Sequence, residues 1–213
     1  MKLKKVRRPV QPRGIARYES ILVAAKLLIA EVGIQETTAY RIAERAKLPA
    51  ASVYQYFPTR ELIFETLAER QFHELMEGFK KRLENAVVSR WQQLAEILVL
   101  SSYRFYTSNI VNERLFLGMD TTLNVRMGAA CRLTTFSQWF CVELEQRFVI
   151  EDIDALKDPV AISVNVADAA FQRSLSLYDE IRPGYYDEAL KAVIGYLTTH
   201  LGESLPTKST SAV

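Results

Sequence analysis

From Arg17 to Val32 the apolar residues Ile21, Ala25, Leu28, Ile29 and Val32 recur every three or four positions, so they share one face of a helix, and Gly33 follows as a C-terminal stop. Thr37 and Thr38 come next, hydroxyl residues suited to cap a second, short helix whose buried side is Ile42, Ala43 and Ala46. That helix ends near Lys47. Pro49 suits the first position of a third helix, because its missing N–H would be unpaired there anyway. Pro58 stops that helix after about two turns by biasing Phe57 away from helical geometry. A fourth helix is expected over about 60–86, with Leu62, Ile63, Leu67, Phe72, Leu75, Met76, Phe79 and Leu83 on its inner side.

Further helical patterns cover about 90–108, 111–118, 122–148, 160–181 and 184–201, with turn signals at Asp158-Pro159 and Pro183-Gly184. No period-two alternation competes, and Gly and Pro are scarce, at 8 and 7 residues. The expected fold is all-α, a three-helix helix-turn-helix head on a larger helical body, about nine helices in all. Its expected divisions are an arm over 1–16, a head over 17–60, a ligand-binding and dimerisation body over 61–202 and a frayed tail over 203–213.

Charge sharpens this division. The net charge of +2 hides a balance of +8 over residues 1–60 and −6 over 61–213. A basic quarter on an acidic chain is the footprint of a nucleic-acid-binding head on a body that avoids DNA. Seven cations precede the first acid, Glu19: Lys2, Lys4, Lys5, Arg7, Arg8, Arg13 and Arg17. Pro9, Pro12 and Gly14 interrupt them, so the segment reads as an arm that orders on a polyanion, with Arg13 and Arg17 as DNA contacts. Cys131 and Cys141 lie on different sides of one helix and read as buried, reduced thiols. No apolar run approaches a membrane span and the N-terminus lacks a secretory h-region, so a soluble, cytoplasmic protein is expected.

Two short helices joined by a tight turn and braced by a longer first helix make a helix-turn-helix, whose second member enters the major groove. Here that member is Ala50 to Tyr56. Small residues at its start, Ala50, Ala51 and Ser52, permit close approach to base edges, and polar or aromatic ones reach bases and phosphates. Val53 and Phe57 face the core.

The stretch TTAYRIAERAKLPAASVYQYFPTRELI, residues 37–63, resembles the signature of the TetR family through Thr37, Thr38, Ile42, Ala43, Ala46, Ser52, Tyr54, Phe57 and Arg60. The resemblance covers about residues 17–65. It implies a phosphate contact from Thr37 or Thr38 and another from Arg60, and backbone contacts from Tyr54 and Tyr56. Ala50, Ser52 and Gln55 are the base-edge candidates, Gln55 foremost because its amide can pair bidentately with adenine. Tyr54 reads equally as core packing. Two positions depart from the family pattern: Lys47 stands where Gly is usual and Pro49 where Ser or Thr is usual. Lys47 must then accept a left-handed backbone at a cost of about 1 kcal/mol, which its charge offsets on DNA.

A single short recognition helix reads few base pairs, so a two-fold dimer on palindromic double-stranded operator DNA is expected, joined through helices 160–181 and 184–201. Residues 91–148 are unusually aromatic. Tyr103, Tyr106, Phe136 and Trp139 are candidate linings of an effector cavity, although aromatics at helical spacing also make plain core. Arg126 must find a carboxylate, either Glu96 or Glu143 as a structural bridge or an acidic effector. The resemblance implies a repressor released by a small molecule of unknown identity that stabilises one tilt of the fourth helix. The alternative is a DNA-binding protein of the same fold with no effector. No GxSxG elbow, Walker loop or GxGxxG is present, His73 and His200 are far apart, and no His or Cys pair has metal-ligand spacing, so neither catalysis, cofactor nor metal is expected.

Overall fold

In a computed structural model the described residues are Val6, 8–118 and 123–208, with the side chains of 123–127, 129 and 130 outside the description. Among them nine α-helices run in chain order: α1 Pro12–Glu36, α2 Ala39–Arg45, α3 Ala50–Tyr56, α4 Arg60–Glu84, α5 Trp91–Ser108, α6 Ile110–Phe116, α7 Leu123–Arg147, α8 Lys157–Tyr178 and α9 Pro183–Leu201. The fold is all-helical; among the described residues β structure is limited to one isolated bridge between Phe148 and Thr207.

Two starts differ from the sequence expectation for one reason. Pro12 occupies the first turn of α1 and Pro159 the first turn of α8, which opens after a 3-10 turn at Asp154–Leu156. The first N–H groups of a helix have no intrahelical partner, so proline there begins a helix instead of interrupting it. The arm is shorter than expected by that much. Gly33 does stop the regular part of α1: it adopts φ 82° and ψ 175°, and the last turn resumes beyond it.

The chain forms two compact units, residues 1–72 with 109–129, and 73–108 with 130–213. The first holds α1–α3, the beginning of α4, and α6. Ile21, Ala25, Ile29, Ile42, Val53, Phe57, Ile63 and Phe64 make its core, with Val111 and Leu115 of α6 packed among them. Arg114 of α6 donates to the carbonyls of Ile29 at 2.5 Å and Ala30 at 3.2 Å, and Gln71 donates to Asn112 at 2.8 Å. A boundary drawn in chain order at residue 60 gives α6 to the body instead.

In the second unit, α8 and α9 form a helical hairpin whose loop is pinned by Ser174, which donates to the Glu180 carbonyl and accepts from the Arg182 N–H. Residues 203–208, the first part of the expected tail, are tied back, together with Gly202, by hydrogen bonds. Trp91 Nε1 donates to the Gly202 carbonyl at 3.1 Å and Gln92 to that of Glu203 at 2.8 Å. The N–H groups of Val149 and Lys208 complete the strap by bonding Pro206 and Arg147. Of the two free cysteines Cys141 is buried, which pushes its thiol up, whereas Cys131 is exposed because it lies on the outer face of α7.

Candidate nucleic-acid interface

The α2–α3 turn is built from backbone hydrogen bonds. The Leu48 N–H bonds the Ala43 carbonyl at 2.9 Å and the Lys47 N–H bonds that of Glu44 at 3.0 Å, the two bonds of a Schellman motif. That motif needs a left-handed residue at its centre, and Lys47 takes it with φ 55°. Its exposed ammonium has no carboxylate partner among the described residues. Thr38 caps α2 by accepting from the Arg41 N–H at 3.2 Å. Pro49, as its lack of a hydroxyl requires, precedes α3 without a side-chain cap.

This turn sets which face of α3 looks outward. Val53 and Phe57 are fully buried, as expected, and Phe57 stacks on Tyr18 at 4.8 Å. Ala51, Tyr54 and Gln55 are exposed at three- and four-residue spacing, while Ala50 and Ser52 are half-buried at the start of the helix. Tyr54, readable from sequence as either core or surface, is 52% exposed.

Two expected contacts belong instead to the interior. Thr37 is fully buried and donates its hydroxyl to the Gly33 carbonyl at 2.6 Å, closing the joint between α1 and α2; a side chain so placed cannot reach a phosphate. Tyr56 is also buried, edge-on to Tyr18, because it sits one position before Phe57 on the inward side of a helix only two turns long. Arg60 is half-buried. Its Nη1 bonds the Gln35 carbonyl and its Nε bonds Glu61, both at 3.1 Å, so it ties the end of α1 to the start of α4.

The head's cations fall into two groups. Arg45 pairs bidentately with Glu31 and Arg70 with Glu19, and Arg41 makes a single contact with the Glu36 carboxylate. The carboxyls of Glu31 and Glu19 are accordingly held below the usual range, chiefly by the arginine hydrogen bonds. Lys47, Arg13 and Arg17 are exposed and lack such partners among the described residues. Sequence reasoning missed Tyr40, which is 72% exposed on α2. Helical geometry could have found it, since two residues before buried Ile42 is the opposite face.

Residues 21–67 match the family model described as bacterial regulatory proteins, tetR family. The head is a TetR-family helix-turn-helix. Among solved structures, a TetR-family transcriptional regulator from Streptomyces coelicolor is similar with a TM-score of 0.68 at 20% identity, covering 89% of this chain and 99% of that one. RolR in complex with resorcinol has a TM-score of 0.65 at 19% identity, covering 86% and 88%. The fatty acid degradation regulator FadR from Bacillus halodurans has a TM-score of 0.65 at 15% identity, covering 88% and 97%. These likenesses extend the TetR-family fold over most of the chain. No curated protein matches it in sequence.

In the second unit the effector candidates form two aromatic groups. Phe136 and Trp139 pack with Phe79, and Tyr103 and Tyr106 with Phe171. Arg126 lies outside the described side chains. Arg132, which sequence reasoning passed over, is buried on α7. Tyr106 donates its hydroxyl to Asp168 Oδ1 at 3.0 Å. Burial pushes the Asp168 carboxyl up to about 7, against the opposing effect of that hydrogen bond. Burial and the carboxylate together raise the Tyr106 hydroxyl well above its ordinary value. Asp168 was missed because it falls within a segment read only for its apolar face. Among the described residues no cluster of His, Cys, Asp or Glu is placed to hold a metal, and no helix is long and apolar enough to cross a membrane.

Proposed function

We propose that this chain is a cytoplasmic transcriptional repressor that binds a palindromic operator as a homodimer and is released by a small molecule. The observation that carries DNA binding is the outward face of α3, where Ala51, Tyr54 and Gln55 stand clear beside the exposed, left-handed Lys47. Gln55 reads adenine, Ala50 and Ser52 allow close approach, and Tyr54 and Tyr40 reach the backbone. Thr38, Arg60, Arg13 and Arg17 contact phosphates.

Dimerisation uses the outer side of α8 and α9. Val160, Val193 and Leu197 serve the protomer's own core, whereas Ile162 and Leu177 are 45% and 46% exposed and lie, with Ala169, along one side of α8. Effector binding is supported by the grouping of aromatic rings with buried Arg132 and with the Tyr106–Asp168 pair, a mixture of apolar surface and few polar groups that suits a small ligand. RolR, a structural neighbour, holds resorcinol. The effector acts by biasing α4, which contributes residues to both units.

Selection of bound fragments from a randomised duplex pool, repeated at two salt concentrations, tests the reading. Recovery of a short palindrome is expected, with affinity falling about 10³–10⁵-fold between about 50 and 200 mM salt for roughly six to ten phosphate contacts. No enrichment and weak salt dependence would overturn it.

A further inference from the structure

Glu19, Glu31 and Glu77 are each held below the usual carboxylate range, chiefly by a hydrogen bond from Arg70, Arg45 and Lys80 respectively. Asp168 is the reverse case. Its carboxyl is pushed up by burial, and its one polar partner among the described residues is the Tyr106 hydroxyl, 3.0 Å from Oδ1. No lysine or arginine among them offsets its charge. Arg132 of α7, itself buried, acts on the Tyr106 hydroxyl and not on the carboxyl. The carboxyl is nevertheless not sealed in. Asp168 is half-buried, and its second oxygen, which accepts no hydrogen bond from the described residues, retains contact with open space.

Around this oxygen the helices bring aromatic rings together. Asp168 and Phe171 stand three residues apart on α8, and Tyr103 and Tyr106 three apart on α5, so each pair shares a helix face. The two faces meet: Tyr106 bonds Asp168, and the rings of Tyr103 and Tyr106 lie 6.1 Å and 5.9 Å from that of Phe171. Tyr186 of α9 joins the group, 5.6 Å from Tyr103. Tyr103 and Tyr186 are half-buried, so they too keep accessible surface.

This combination discriminates by charge. A carboxylate taken from water is stabilised by an opposite charge, and the fold supplies none. Aromatic ring faces attract cations through their quadrupole. A ligand ammonium beside the open oxygen and the tyrosine rings satisfies both, whereas an anion there is repelled by the carboxylate. A neutral donor satisfies the oxygen but gains nothing from the field of the rings.

Resting on the effector reading, we infer that Asp168, with Tyr103 and Tyr106, forms a binding site for an organic cation, an amine or quaternary ammonium carrying apolar groups. The carboxylate pairs with the positive charge, the rings cover the apolar groups, and the Tyr106 hydroxyl holds the carboxylate in place. Binding selects the ionised carboxylate and so expels the proton that Asp168 carries below about pH 7. The other titratable side chains around the pair are Tyr103, Tyr106 and Tyr186 and, on α7, Arg132, types that keep their charge state between about pH 6 and about pH 8.

The test titrates the full chain, followed by its intrinsic fluorescence, with phenyltrimethylammonium, whose charge is permanent, and with its neutral isostere tert-butylbenzene. The cation is expected to bind at least about tenfold more tightly than the isostere at about pH 8, a gap worth one carboxylate–ammonium contact. Its affinity should fall about tenfold on going to about pH 6, where close to one proton is released per ligand bound. In the Asp168→Asn variant the preference and the pH dependence should both vanish while the isostere binds as before. Tyr106→Phe should keep the preference and move the midpoint of the pH dependence upward, because the hydrogen bond that favours the ionised carboxylate is gone.

Equal binding of the two probes, or an affinity for the cation that does not change with pH, would overturn the cation site and leave an effector site of other specificity standing. Binding of neither would overturn the Asp168 group as a ligand site. Release of the selected operator by a compound that does not need Asp168 would then keep the effector reading without it.

Discussion

Replacing Asp168 with Asn should stabilise the protein above neutral pH and do less as the pH falls. In the native state partial burial raises the carboxyl to about 7, while an unfolded chain returns it to 3.8. The native state therefore binds one more proton than the unfolded state between those values. Stability from this group is fully present below about pH 4, falls by about 1.4 kcal/mol per pH unit, and is lost once pH passes about 7. The ceiling is about 4 kcal/mol, and access of water to the carboxylate would lower it to about 2 kcal/mol. In the Asp168→Asn variant the new amide oxygen would still accept from the Tyr106 hydroxyl, but the side chain could not ionise. Urea unfolding of both proteins across this range is the assay, read as the difference between them so that other titrating groups cancel. The variant's advantage should widen by about 2–3 kcal/mol from about pH 5 to about pH 8. A difference that does not change with pH would refute the account of Asp168 as a carboxyl held protonated by burial.

Lys47→Gly should relieve the left-handed strain and stabilise the head by about 1 kcal/mol, raising Tm by about 2–4 °C in calorimetry. The same variant should bind DNA less tightly, with a salt slope shallower by about 1 per head in a titration of affinity against salt. Thr37→Ala should cost about 1 kcal/mol in urea unfolding through loss of the bond to Gly33 and leave the salt slope unchanged, because the side chain is interior. Truncation after Leu201 should cost about 2–4 kcal/mol by removing the partners of Trp91, Gln92, Val149 and Arg147; an unchanged denaturation midpoint would show that the 202–208 strap contributes nothing.

The helices were legible because their signals are local. The spacing of Ile21, Ala25 and Leu28, the stop at Gly33, the cap at Thr38 and the break at Pro58 each act within a turn or two of chain. The order and approximate place of α1–α9 followed, as did the left-handed backbone forced on Lys47 by the turn. Proline misled at Pro12 and Pro159 only because the same residue interrupts a helix in its interior and opens one at its first turn. In the site, the outward Ala51 and Gln55 were readable from periodicity, and Tyr40 would have been.

By itself, then, the sequence determined the helices, the charge division between head and body, and the residues that form the reading turn, since these depend on neighbours along the chain. Tertiary structure alone decided that α6 joins the head through Val111, Leu115 and Arg114, and that the 202–208 strap is held by Trp91 and Gln92. It also decided that Thr37 and Tyr56 lie inside, and that Tyr106 meets Asp168 across 62 positions of chain. Burial and pairing are properties of what packs against a residue from elsewhere, and no local pattern records which distant segment that will be.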